Sequence, residues 1–160
     1  MLALMLQRRI KMYNKYKSSL VSIIATFVFA AFVVVSAVML PLFIKLYLGD
    51  AYETMTATKV ALFVCLYGSA AVSLLISYLL LRILFNVRKN IVFDRVNVKY
   101  YRYISWCCFA ICAFFFALGF FITFSFVIAS VTGFIGLIAR VVKNLFNEAV
   151  DIKEENDLTV

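Results

Sequence analysis

Hydrophobic positions fall into three long uncharged runs, 18–44, 60–81 and 103–139, set between shorter stretches rich in lysine and arginine. A helix crosses the hydrocarbon core of a bilayer with about 20 apolar residues at about 1.5 Å rise each. The first two runs therefore predict one crossing apiece. The first is also too long for the about 7–15 apolar residues of a cleaved signal, so it reads as a retained span. The third run, closed by Arg102 and Arg140, would be about 55 Å long as one helix against a core of about 30 Å. Two spans joined by a tight turn between Gly119 and Ser125 fit it better, and bring both basic ends to one side. The pattern predicts an all-α integral membrane bundle of four transmembrane helices. Its parts are a basic arm 1–17, spans at 18–44, 60–82, 103–121 and 122–140, connections 45–59 and 83–102, and a final segment 141–160. Pro41 is expected near the end of the first helix, where its missing N–H does least harm.

Charge gives this arrangement an orientation. The polar stretch Asn86–Tyr103 carries Arg88, Lys89, Arg95, Lys99 and Arg102 against the single acid Asp94, and Arg82 precedes it. Four crossings put 14 of the 16 lysines and arginines on one face, leaving only Lys45 and Lys59 on the other. Cytoplasmic loops accumulate such residues, so both termini are expected in the cytoplasm. Tyr47, Tyr52, Tyr100, Tyr101, Tyr103 and Trp106 near the predicted boundaries suit interfacial aromatic belts. Met12 offers an alternative start, which would place residues 1–11 outside the native chain.

Composition agrees with the class: 66% of the 160 residues are hydrophobic and 15% charged, where soluble chains run about 45–50% and about 25%. The net charge of +8 is of the kind that attracts polyanions. The positive-inside bias accounts for it without direct nucleic-acid binding. Histidine is absent, which removes the commonest general base and metal ligand. No predicted span has an interior Asp, Glu, Lys, Arg or His, whereas intramembrane ionisable groups mark proton relays and catalytic sites. The chain is therefore expected to be no enzyme, with no catalytic residue, cofactor or metal. Cys108 and Cys112 share a helical face, yet no histidine completes a ligand set, and Cys65, Cys107, Cys108 and Cys112 all read as packing residues in the spans.

Small residues recur four apart at Ser69, Ser73 and Ser77, and at Ser125, Ala129 and Gly133. Such stripes let helix backbones approach closely in lipid; they read as intramolecular packing, with a homodimer seam as the alternative. The phenylalanine-rich third span reads as lipid-facing or as filling within the bundle. In the basic connection Ile91, Val92, Phe93, Val96 and Val98 alternate with the charges. A segment that only set topology and met anionic headgroups has little use for them, so a short interfacial helix or docking surface is the competing reading. In the final segment Val142, Leu145, Phe146, Ala149 and Ile152 recur at three- and four-residue steps, an amphipathic pattern, before an acidic ending.

The stretch IVFDRVNVKYYRYISWCCFA and the ending LFNEAVDIKEENDLTV resemble a bacterial family of unknown function. Its members are small four-span membrane proteins that finish in Glu-Asn-Asp-Leu-Thr-Ile or -Val. The resemblance runs over 13–160 and is strongest at the tail. It implies a bacterial plasma-membrane protein and, because members are often encoded beside a small helix-turn-helix regulator, a protein that tethers or controls a DNA-binding partner. Candidate contacts are Asn90, Phe93 and Asn97 in the connection, and Glu155, Asn156, Asp157, Leu158, Thr159 and Val160 in the tail, where an extended end could pair with a sheet edge or present its carboxylate. The competing expectation is a stress or bacteriocin-immunity factor acting within the bilayer. A transporter subunit is a third and weaker one.

Overall fold

The computed structural model describes residues 2–52, 56–89 and 94–158. Four helices account for nearly all of them: α1 (Leu2–Leu48), α2 (Thr56–Arg88), α3 (Arg95–Gly119) and α4 (Ser125–Leu158), with a 3₁₀ turn at Gly49–Tyr52. Each contains a stretch long and apolar enough to cross a membrane. Away from the hairpin the helices overrun the spans read from sequence, because apolar runs delimit only what lipid must surround. At the hairpin α3 stops at Gly119 and α4 starts at Ser125, short of the expected 121 and 122, where the turn takes up the difference. At about 1.5 Å per residue, α4 is about 51 Å long, some 20 Å more than a hydrocarbon core. The excess projects beyond Arg140.

Turn chemistry fixes the helix ends. α1 stops at Gly49, whose φ of 50° is the left-handed conformation that closes a helix at glycine. Pro41 lies inside α1, two turns before that stop and so near its end; neighbouring groups in membrane helices commonly absorb such an interruption. Lys59 at the start of α2 donates to the Tyr52 carbonyl at 3.1 Å and lies 4.3 Å from the Tyr52 ring centroid, tying α2 back to the 3₁₀ turn. Between α3 and α4 the chain reverses over 120–124 through overlapping turns, with Ile122 N–H bonded to the Leu118 carbonyl and Ser125 N–H to the Ile122 carbonyl.

Packing runs in sequence order: α1 rests on α2, α2 on α3, and α3 most extensively on α4. The result is a row of helices more than a closed ring. Ile44, Leu48, Leu62, Cys65 and Leu118 form one core cluster at the end holding the 3₁₀ turn. Leu79, Ile83, Ile104 and Cys108 form another toward the opposite, basic end. Most of α1 past residue 20 is exposed and apolar, as Phe32 and Val38 illustrate, which is the surface that lipid would cover.

Both small-residue stripes are consumed within the row. Ser125 and Ala129 are buried, and a Cβ at Gly133 would stand 3.2 Å from the Cys112 Sγ, so that stripe is the seat of α3 on α4. In α2 the hydroxyls of Ser69, Ser73 and Ser77 each donate to a carbonyl three or four residues back, at 2.8–3.0 Å. Their polar groups are thereby satisfied inside the helix, and Ser69 and Ser77 are buried.

Candidate functional site

Three helix ends meet at the basic end, where the sequence pattern suggested a connection of 20 residues. α2 persists to Arg88 and α3 begins at Arg95. Asp94 starts α3: its backbone is extended, and its carboxylate accepts from the Val96 N–H at 3.0 Å, satisfying one of the donors a helix start leaves free. At the end of that first turn, Val98 is buried. The alternation of charge with Val96 and Val98 thus belongs to the start of a packed helix.

α4 continues past Arg140 alongside this start. Tyr101 stacks on Phe146 with centroids 5.0 Å apart, and Val150 is only 2% exposed. The amphipathic face read from sequence is displaced from the one observed. Leu145 and Ile152 point outward while Phe146 and Val150 pack inward. The pattern missed Val150 because its neighbours Ala149 and Ile152 compete for the same stripe.

Arg95 clamps the two helices from outside. Its Nη2 lies 2.7 Å from both Asp151 Oδ1 and Glu154 Oε2, and its Nε donates to Glu154 Oε1 at 3.1 Å. This is the two-pronged match of guanidinium to carboxylate. Asp151 is steadied in turn by the Asn147 side-chain amide at 3.0 Å. The hydrogen bond from Arg95 holds the Glu154 carboxyl below the usual carboxylate range. A lowered folded-state value means that the clamp's contribution is complete above the unfolded carboxylate range and lost as pH falls through the lowered value. Protection of 141–158, taken relative to the intrinsic exchange rate at each pH, is accordingly expected to fall modestly below that range, and Arg95→Ala to show the reduced protection at every pH. Equal protection in that variant would show the clamp to be idle.

Asn97 lies inside the structure. It is 1% exposed, and its Oδ1 accepts from the Asn86 amide at 2.8 Å, bridging the end of α2 to the start of α3. Of the candidate contacts it is thus the one that the helices enclose, at the joint between α2 and α3. A polar residue in a basic connection looks solvent-directed until the helices around it are in place, and the signal for the pairing was the presence of two asparagines flanking the turn. Glu155 and Asn156 are exposed on the last turns of α4, and the backbone remains helical through Asp157 and Leu158, so this part of the tail is not extended. Asn90, Phe93, Thr159 and Val160 lie outside the described residues.

Among the described residues no group of three or more His, Cys, Asp or Glu side chains converges as a metal-ligand set. Cys65, Cys107, Cys108 and Cys112 are free thiols, of which Cys108 and Cys112 line the close approach of α3 to Gly136 and Gly133.

Four membrane-length helices bearing a small helical head define a multi-pass membrane protein. The chain belongs to the protein family of unknown function DUF2975, which matches residues 43–160. The match takes in the last turns of α1 and all of α2, α3 and α4. It starts later than residue 13, where the resemblance in the sequence begins, and so leaves out most of α1. Comparison with curated proteins and with solved structures gives no match.

Proposed function

We propose that this protein is a non-enzymatic membrane anchor whose basic end faces the cytoplasm of a bacterial cell and holds a small DNA-binding regulator. The observation that carries the proposal is the continuation of α4 to Leu158, folded onto α3 through Val150 and the Arg95 clamp. A protein acting only within lipid has no use for a built head outside it. The 14 of 16 cations gathered at this end support the orientation. The uncharged interiors of the spans support the absence of catalysis or proton coupling.

The docking surface we propose starts from Glu155 and Asn156, exposed on the last turns of α4, and takes in the rest of the tail to Val160 together with the connection around Asn90 and Phe93. Asn97 holds α2 and α3 in register beneath it. The acidic ending suits a partner whose own surface is basic, as DNA-facing surfaces are. The likeness of the ending to small four-span proteins encoded beside helix-turn-helix regulators supports that class of partner.

Affinity purification from native membranes in mild detergent tests this reading. A small DNA-binding protein is expected with the full chain and is expected to be lost when Asn156–Val160 are deleted, with membrane insertion unchanged. Equal recovery from both chains would overturn the tail's role. The second reading, a stress or immunity factor acting within the bilayer, draws on the broad apolar face that α1 leaves exposed. It predicts activity indifferent to the tail and dependent on α1.

A further inference from the structure

We infer that the α3–α4 pair carries a binding site for one anionic phospholipid, with its headgroup in a cationic cavity and an acyl chain in the apolar seam below. The inference rests on the helices crossing a bilayer and not on the regulator. The cavity measures about 300 Å³ and is lined by Arg102, Ser105, Trp106, Arg140 and Lys143. That is the lower end of the range for small-molecule sites. Three of the five lining side chains are cationic and none is acidic. The Arg140 guanidinium lies over the Trp106 ring, 5.6 Å from its centroid, which holds its planar fork in place by cation–π attraction. Lys143 donates to the adjacent Asn144 Oδ1 at 2.9 Å. The floor is fixed by the Ser105 hydroxyl, bonded at 2.9 Å to the Gly136 carbonyl across the helix pair.

Its depth matches a phosphate. Arg102 and Arg140 bound the uncharged hairpin 103–139, so they sit side by side where the hydrocarbon ends. Trp106 lies one turn further in, at the level favoured by interfacial tryptophan. Guanidinium groups bind phosphate oxygens in pairs, and basic pockets between membrane helices on the cytoplasmic side accept anionic lipid headgroups.

What makes this a lipid site more than a free-anion site is the groove beneath it. A second cavity of about 430 Å³ follows the same seam, lined by Cys112, Phe116, Phe126, Ala129, Gly133 and Leu137 among others. Both open away from α2. Ile104 and Leu118 pack in the clusters shared with α2. At about 100° per residue they fall some 160° from Arg102 around α3, whereas Phe116 falls within about 40° of it. A cationic recess with a second, apolar recess further along the same helix pair at membrane depth has the polarity of a single phospholipid.

Trp106 is the chain's one tryptophan and reports on the cavity directly. The full chain would be reconstituted in phosphatidylcholine vesicles and titrated with phosphatidylglycerol carrying a quencher near the headgroup. Quenching is expected to saturate at a low mole fraction, and Arg102→Gln/Arg140→Gln to require roughly tenfold more of the anionic lipid. Arg82→Gln/Arg88→Gln removes the same charge from the same end outside the cavity and is expected to titrate as the parent does. Equal loss in both double variants would reduce the effect to general surface attraction and overturn the site. Quenching that phosphatidylcholine bearing the same quencher reproduces would also overturn it. So would competition by millimolar inorganic phosphate as strong as that by unlabelled phosphatidylglycerol, which would assign the cavity to a free anion.

Discussion

Gly136→Leu is expected to lower stability by about 2–3 kcal/mol, the upper part of the range for overpacking a well-filled interface. A Cβ at this position would lie 3.2 Å from the Cys108 Cβ and 3.4 Å from the Phe109 ring. The Cys108 Cβ is anchored to the α3 backbone, so the helices and not a side-chain tip must move. The Gly136 carbonyl also accepts the buried Ser105 hydroxyl, and separating α3 from α4 would break that bond. In lipid the helices gain little from hydrophobic drive, and close packing and interhelical hydrogen bonds carry much of the association. Thermal unfolding of the purified protein in detergent measures the effect, with Ala117→Leu on the exposed face of α3 as a control expected to change little. A midpoint for Gly136→Leu equal to that of the parent would show that α3 and α4 do not approach as closely as described.

The second large effect is expected at the base of the head. Asn97→Leu removes the acceptor of the Asn86 amide from a site that is almost fully closed. Breaking one partner of such a bond leaves the other unsatisfied, at a cost of about 1–3 kcal/mol, whereas replacing both partners by apolar groups can be nearly neutral. The double variant Asn86→Leu/Asn97→Leu is therefore expected to lose less than the sum of the two single variants. Denaturant titration of the four chains in a double-mutant cycle measures this coupling. Strict additivity would mean that the two asparagines act separately, and that the α2–α3 connection is held by something else.

The four helices of membrane-crossing length and the place of the tight turn were legible in the sequence because bilayer thickness turns run length into a count. Gly119 and Ser125 bracket that turn in the structure as the excess length of 103–139 required. The head was less legible. Charges at Arg95, Lys99, Asp151 and Glu154 make the helix ends look like solvated loop and tail, and only the approach of α3 to α4 shows that Arg95 joins two of them. The pairing of Asn97 was hidden for the same reason: a side chain's partner 11 residues away depends on how two helices meet, which local pattern does not encode. The cationic cavity escaped notice because its lining comes from two helices, with Arg102 and Arg140 far apart in the chain. Each had already been explained as a topology determinant, and that role does not exclude the other.

The central claim is a four-span chain whose head lies on the cytoplasmic side, and single-cysteine labelling tests it most directly. Thr56→Cys at the start of α2 and Glu155→Cys near the end of α4 are both exposed positions on opposite ends of the row. A membrane-impermeant maleimide is applied to intact cells and to lysed ones, with the background of the parent chain subtracted. The account predicts that position 56 labels in intact cells and that position 155 labels only after lysis. Labelling of position 155 in intact cells would put the head outside, and would contradict both the orientation and any cytoplasmic partner.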